Sequence, residues 1–307
     1  MPTREERLAG GLLGLLVGDA LGVPYEFHPP EAIPPPDQIE YTPPAGFARA
    51  HVGTPPGTWS DDGAQALCLL VSLLDSGRFD ADDFGRRLVR WLDDGYLAVD
   101  GRVFDVGIQT QQAIVRLRGG TPALSAGSTE ERALGNGSLM RVLPLALWHR
   151  GTDVELVDDA RAQSRVTHGH LRAQLCCALY SLWARRVLDE DDDPWQAAVS
   201  SLRALYLPNS PERVELDAHI QPEALPAGHG RGYAVDTLHS ARWAAAQGEY
   251  ETAVRAAISL GNDTDTTACI AGGIAGLRDG VDAIPHRWRD ELRGSELYTP
   301  LLDRLTA

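Results

Sequence analysis

Helical periodicity runs through almost all of this 307-residue chain and leaves little room for another kind of fold. Leu8, Leu12, Leu15 and Leu16 fall at the three- and four-residue spacings that put apolar side chains on one helix face. That first helix ends near Gly22-Val23-Pro24, because proline lacks an amide and disfavours a helical residue before it. The same spacing predicts helices at about residues 63–76, 81–94, 105–118, 138–149, 153–165, 171–188, 195–205, 234–247, 249–260 and 266–278. Strict apolar–polar alternation, the mark of a half-buried strand, lasts no more than a few residues. The expectation is an all-α protein in which residues 1–307 form a single domain, since no linker or internal repeat divides them.

Two segments depart from the helical pattern. Residues 29–44 hold seven prolines and read as a rigid surface excursion, and residues 206–232 read as a long loop rich in Pro, Gly, Glu and His. The run Asp189-Glu190-Asp191-Asp192-Asp193 reads as a solvated turn between helices. Cys68, Cys176, Cys177 and Cys269 stand among Ala, Leu and Ile without a C-x-x-C pair, so buried thiols in a reducing compartment are expected rather than a zinc site. No basic-then-apolar leader opens the chain, and no uninterrupted apolar run approaches the roughly 20 residues of a membrane span. A soluble, monomeric, cytoplasmic protein is the expectation. With 28 basic and 43 acidic residues the net charge is −15, which argues against nucleic acid or an anionic membrane as a general partner. An anionic ligand then needs local neutralisation, from metal ions or a helix N-terminus.

Two acidic segments stand apart from the surface charge. Gly57-Thr58-Trp59-Ser60-Asp61-Asp62-Gly63 leads directly into an apolar helix, and so does Gly261-Asn262-Asp263-Thr264-Asp265-Thr266-Thr267. Asp, Ser, Thr and Asn are common helix caps, but one cap needs one such residue, and these segments supply three and four. Clustered carboxylates repel unless protonated or neutralised, and Mg²⁺ or Mn²⁺ takes oxygen ligands of this kind. About 200 residues separate the segments, so the sequence alone does not bring them together.

These segments belong to a longer series: Gly18-Asp19-Ala20-Leu21-Gly22 with Tyr25-Glu26, then Ser60-Asp61-Asp62, Gly135-Asn136-Gly137-Ser138-Leu139-Met140-Arg141, Thr167-His168, Gly232-Tyr233-Ala234-Val235-Asp236-Thr237-Leu238, and Gly261-Asn262-Asp263-Thr264-Asp265-Thr266. In order and wording the series resembles the ADP-ribosylglycohydrolase family, also called ADP-ribosyl-acceptor hydrolases, which includes the dinitrogenase reductase-activating glycohydrolases. The resemblance implies a compact single-domain orthogonal helical bundle with a binuclear magnesium or manganese centre. It implies metal ligands at Ser60, Asp61, Asp62, Asp263, Asp265 and Thr266, with Asp265 bridging both ions and a metal-bound water attacking the anomeric carbon. The family usually has Thr where this chain has Ser60, and commonly Thr where Gly63 stands; the second change softens the helix start or enlarges the site.

By the same resemblance Asp61 and Asp265 are catalytic, and Glu26 acts as acid, base or gate; the alternative for Glu26 is a surface residue in a Pro-bounded turn. Asp19 reads as an internal anchor. Gly135-Asn136-Gly137-Ser138 is expected to open the helix of residues 138–149 and to cradle a diphosphate with its amides, with Met140 alongside. His168, beside Thr167 and His170, is expected to contact a phosphate or ribose. Tyr233 is a candidate ring for stacking on adenine or ribose, and Trp59 a weaker one. The activity implied is hydrolysis of the N- or O-glycosidic bond between ADP-ribose and an acceptor. Two rivals remain at this point: a di-metal phosphohydrolase acting on a nucleotide derivative, and a non-catalytic ADP-ribose-binding protein.

Overall fold

The computed structural model describes residues 1–225 and 228–307. Fourteen α-helices follow one another among them: α1 (Arg4–Gly22), α2 (Asp61–Ser76), α3 (Ala81–Asp94), α4 (Ile108–Arg118), α5 (Leu143–Trp148), α6 (Asp153–Arg165), α7 (Leu171–Leu188), α8 (Pro194–Ala204), α9 (Pro211–Val214), α10 (Ala234–Ala245), α11 (Tyr250–Ser259), α12 (Thr264–Asp279), α13 (His286–Glu291) and α14 (Ser295–Thr306). Among the described residues the extended pairing amounts to two isolated bridges, Ser128 with His168 and Gly135 with Tyr233. The all-α expectation holds.

The centre of the bundle is the antiparallel pair α1 and α12. Gly10, Gly14, Gly18 and Gly22 recur every four residues along one face of α1. A Cβ added at these positions would lie 2.2 Å from the Gly276 carbonyl, 2.4 Å from the Gly272 carbonyl, 2.2 Å from the Ala268 carbonyl and 2.3 Å from the Asp265 Cα. The two backbones therefore touch with no side chain between them. Arg4–Tyr25 is long and apolar enough, by length and composition, to cross a membrane, but 94% of its apolar window is buried inside the protein. Around this pair, Leu12, Leu15 and Leu16 join Leu67, Leu143, Tyr180, Tyr250 and Ile270 in one continuous buried core. All four cysteines are buried and unpaired.

Several sequence expectations need correction. The helix expected at 138–149 begins only at Leu143, because Pro144 has no amide to bond the carbonyl of Met140 and is accommodated in the first helical turn. Residues 135–142 form turns instead. The helix expected from 105 begins at Ile108, which leaves Asp105 in a loop with φ 57°. Within the predicted long loop, Pro211–Val214 and the π-helical Glu215–Ile220 are regular. Helices α13 and α14 lie beyond the last helix expected from the periodicity; Pro285 directly precedes the start of α13, and Pro300 sits within α14. The proline-rich excursion is pinned by Glu40, whose carboxylate accepts from Arg255 at 2.8 Å and Arg287 at 3.2 Å. The acidic run is exposed as expected, with Asp193 capping α8.

Candidate metal centre

Both acidic helix starts converge on the C-terminal end of α1. The α1/α12 contact carries Asp265 to Gly22, where the Thr264 hydroxyl donates to the Gly22 carbonyl at 2.8 Å. Helix α2 is clipped to the same end by Asp19, whose carboxylate accepts from the Ser60 amide at 2.9 Å and the Gly63 amide at 2.7 Å. Asp19 is thus the anchor expected of it, and it caps α2 from a different helix. The Ser60 hydroxyl adds a local cap by accepting from the Asp62 amide at 3.3 Å. A third strand of chain joins through paired backbone bonds, from the Phe27 amide to the Asn262 carbonyl (2.7 Å) and from the Asn262 amide to the His28 carbonyl (2.6 Å). This brings Glu26 beside the second segment. Glu26 is 4% exposed, so the alternative of a surface glutamate is set aside.

With its caps supplied by Asp19 and Ser60, the first segment has carboxylates to spare. The Asp62 Oδ2 and Asp265 Oδ2 atoms are buried and have no hydrogen-bond partner within the protein. Oxygens of Glu26, Asp263 and Asp265 come within 4.8 Å of one another. The Thr266 hydroxyl donates to Asp62 Oδ1 at 3.4 Å, which joins the two segments side chain to side chain, and the Thr266 amide holds Asp265 Oδ1 at 2.8 Å within its own segment. Asp263 is held from the side by the Asn136 amide group at 2.8 Å. Buried orphan oxygens in a cluster of hard ligands fit divalent cations, and the residues present suit the ions the family resemblance implied.

The electrostatics agree. Burial first, and neighbouring negative charge second, push Asp61, Asp62 and Asp265 well above the usual carboxylate range. Burial likewise raises Asp19 to about 7, and burial together with Asp105 and Asp263 raises Glu26 to about 11. A site that crowds carboxyl groups in this way either binds protons or binds metal.

Asp61, Asp62, Asp263, Thr266 and Glu26 border a cavity of about 370 Å³. Asn136, Gly137, Met140 and His168 line the same cavity. Ser60 and Asp265 are buried behind the acidic side. Two expected contacts are absent from the wall. The Ser138 hydroxyl turns into the core against Ser164 at 2.8 Å and Cys177 at 3.4 Å. The Tyr233 hydroxyl is taken by Arg172 at 3.2 Å, and Gly232 borders the cavity in its place. The diphosphate cradle at a helix start is also corrected, because the chain at Asn136–Met140 is a turn rather than the start of α5. Trp59 is 1% exposed, with its indole N–H on the Leu97 carbonyl at 3.3 Å, and is not a stacking platform. Gly63 does not enlarge the site: a Cβ there would lie 2.8 Å from both Trp59 and Leu16. A roomier cavity of about 450 Å³ near Trp183 and Trp195 contains none of these groups.

Asp105 and His51 join the site without any local sequence signal. Asp105 borders the cavity and is raised to about 6 by burial and by Asp263, while His51 Nε2 lies 2.5 Å from Glu26 Oε2. Neither stands in a recurring motif, and only the folded loops bring them to Glu26. Arg141 and Thr167, at the ends of two of the motifs, meet in the core, where the Arg141 guanidinium donates to Thr167 Oγ1 at 2.7 Å.

Comparison with known proteins matches this geometry. The family model described as ADP-ribosylglycohydrolase covers residues 1–307. The chain is 32% identical to the ADP-ribosylarginine hydrolase Tri1 of Pseudomonas putida, across 98% of this chain and 78% of that protein. It is 28% identical to the ADP-ribosyl-[dinitrogen reductase] glycohydrolase of Rhodospirillum rubrum, across 95% and 92%. A solved structure described as an ADP-ribosylglycohydrolase-related protein complex superposes with a TM-score of 0.79 at 33% identity, covering 99% of this chain and 98% of that one. The chain belongs to the ADP-ribosylglycohydrolase family and is an enzyme that hydrolyses a glycosidic bond of ADP-ribose.

Proposed function

We propose that the protein removes ADP-ribose from an arginine side chain, using two Mg²⁺ (or Mn²⁺) ions held by Ser60, Asp61, Asp62, Asp263, Asp265 and Thr266. The observation that carries the metal reading is the pair of buried, unpartnered oxygens on Asp62 and Asp265, one from each acidic helix start. Bound there, the ions keep the carboxylates ionised and supply the positive charge that polarises a water and the ribose hydroxyls. The protein's own groups do the rest. Asn136, Gly137, Met140 and His168 wall the cavity for the ADP-ribose moiety. Glu26 is buried in the cavity wall with its carboxyl against His51, and so is placed to protonate the departing nitrogen as the glycosidic bond breaks.

The arginine acceptor rests on the character of the cavity mouth, and the name of the Pseudomonas relative supports it. Asp105, partly exposed at the cavity, supplies negative charge there, and the Phe27 ring, 68% exposed, lies beside His51 with centroids 5.5 Å apart. A carboxylate beside an exposed ring suits a planar guanidinium, which pairs and stacks at once. The test is a panel of peptides ADP-ribosylated on arginine or serine, with intact ADP-ribose measured by mass spectrometry. Faster release from arginine, abolished by EDTA and restored by Mg²⁺ or Mn²⁺, is expected. Preference for serine would overturn the acceptor, and release of AMP would overturn glycosidic cleavage.

A further inference from the structure

We infer that Arg141 and Thr167 are positioning residues that lock His168 as an Nε2–H donor to an anionic oxygen of the ADP-ribose moiety. The inference rests on the reading that this moiety occupies the cavity His168 borders. Arg141 is 0% exposed and reaches no carboxylate. Its guanidinium donates instead to neutral acceptors: Gln163 Oε1 at 3.2 Å, Gln65 Oε1 at 2.7 Å, the Gln163 carbonyl at 3.2 Å and Thr167 Oγ1 at 2.7 Å.

A guanidinium has only donors to offer. The Thr167 oxygen must therefore accept from Arg141, and its single hydroxyl proton is left for the other neighbour, His168 Nδ1, at 2.7 Å. Nδ1 is then the acceptor of the ring, and the ring proton sits on Nε2. Arg141 and His168 Nδ1 are the hydrogen-bond partners of this hydroxyl, so a donating Nδ1–H would leave the buried Thr167 proton without an acceptor. The ring also stays uncharged, since burial and the nearby Arg141 lower it to about 3. Its backbone is fixed as well: the His168 amide donates to the Ser164 carbonyl at 2.7 Å, and the Ser164 hydroxyl donates to the His168 carbonyl at 2.9 Å. The Nε2 edge passes close to the turn of the cavity wall, where a Cβ on Gly137 would lie 3.2 Å from that atom. A neutral, oriented N–H beside bare backbone is a site for a phosphate oxygen, and it needs no charge of its own.

The same cation has a second arm. Gln65 accepts from Arg141 through Oε1, so its amide nitrogen faces Asp61 and donates to Oδ2 at 2.7 Å. One buried guanidinium thereby orients partners of two cavity residues, Asp61 and His168, which accounts for a buried charge without an ionic partner.

The test uses the full chain, loaded with Mg²⁺ and labelled with ¹⁵N-histidine. Long-range ¹H–¹⁵N correlation reads the tautomer, with His168 assigned by the loss of its signals in His168→Gln. The wild type is expected to show the Nε2–H pattern. In Thr167→Val, close in size but without the hydroxyl, that pattern is expected to disappear, KM and the ADP-ribose Kd to rise about tenfold, and kcat to stay within about twofold, tenfold being about 1.4 kcal/mol of binding. Thr167→Ser is expected to restore all three. A wild-type ring protonated on Nδ1 overturns the lock, and so does an unchanged tautomer and KM in Thr167→Val. The wild-type tautomer and the Thr167→Ser rescue decide the matter even if Thr167→Val folds poorly. A locked tautomer in a protein that does not bind ADP-ribose overturns the ligand and with it the proposed function, while an Nδ1–H ring in a protein that does bind it overturns the lock alone.

Discussion

The starts of α2 and α12 look alike in sequence, and they are built differently. At α2 the backbone amides are satisfied from outside: Asp19, on α1, takes the Ser60 and Gly63 amides, and Ser60 takes that of Asp62. Asp61 is held only by Gln65, and Asp62 by nothing stronger than the Thr266 hydroxyl at 3.4 Å. At α12 the Asp263 side chain provides no cap; Asp265 accepts from the next amide, and Asp263 is steered away by Asn136. One segment borrows its cap so that its carboxylates are spare, and the other divides the work among its own residues. Counting acidic residues at a helix start does not separate a cap from a ligand. The question that does is which amide each oxygen accepts from.

The largest effect that could break this comparison is on catalysis. Asp62→Asn and Asp265→Asn are each expected to lower kcat/KM on ADP-ribosylarginine by about 10³-fold or more, roughly 4 kcal/mol of transition-state stabilisation. Both are also expected to raise the melting temperature of the EDTA-treated protein near neutral pH, because each replaces a buried carboxyl that must take up a proton for the fold to form without metal. Near-wild-type turnover in Asp62→Asn would make the α2 segment an ordinary cap after all.

Metal removal should show as a change in the sign of pH dependence. Asp105, Asp19 and Glu26 are raised to about 6, about 7 and about 11, above the ordinary carboxyl range near 4. Above that range the unfolded chain has lost these protons while the metal-free fold keeps them, so the fold is favoured at low pH and loses stability as pH rises through the folded values. The stripped protein is expected to melt higher at about pH 5.5 than at about pH 7.5. Mg²⁺ is expected to stabilise more strongly at the higher pH, where it need not displace protons. Calorimetric melts with EDTA and with Mg²⁺ at the two pH values check both statements. A stripped protein that melts higher at the higher pH would show that the cluster is not proton-loaded.

Stability should follow the borrowed cap. Asp19→Ala strands the buried Ser60 and Gly63 amides and is expected to cost about 3 kcal/mol. Asn136→Ala releases Asp263 without exposing a helix amide and is expected to cost about 1 kcal/mol. Urea melts of the two variants rank them, and equal losses would erase the distinction between the two helix starts.

How much of this could be read in advance depends on the length scale of the signal. The helices announced themselves because apolar residues such as Leu8, Leu12 and Leu15 repeat at a local period, and the ligand segments because hydroxyl and carboxyl residues crowd within a few positions. The α1 glycine ladder was equally regular, with Gly10, Gly14, Gly18 and Gly22 four residues apart, but a glycine is no sign of contact until the opposing backbone is known. Asp105 and His51 had no local signal; they belong to loops whose path is set by tertiary bonds such as that between Asn262 and His28. The helix expected from Ser138 starts late because of a single residue, Pro144, whose effect reaches four positions back. Ser138 and Tyr233 stood in the right motifs, and the sequence did not say which way their side chains turn.

The smallest predicted effect concerns Gly63, where the family commonly carries threonine. A Cβ at this position meets the Trp59 ring and Leu16 at 2.8 Å, while the Gly63 amide must stay on Asp19. Overpacking of this kind costs roughly 1–3 kcal/mol, and replacing a helical glycine with alanine returns about 1 kcal/mol. Gly63→Ala is therefore expected to lose about 1 kcal/mol net. Trp59→Leu alone opens a cavity and is expected to cost more, but in the double variant the new methyl group occupies space the ring has left. The double-variant cycle should then show a coupling of about 1 kcal/mol in the stabilising direction. Additive losses would mean that Trp59 does not set the residue at 63. Coupling would show that the ring fills the space at this helix start that a side chain at 63 would otherwise take.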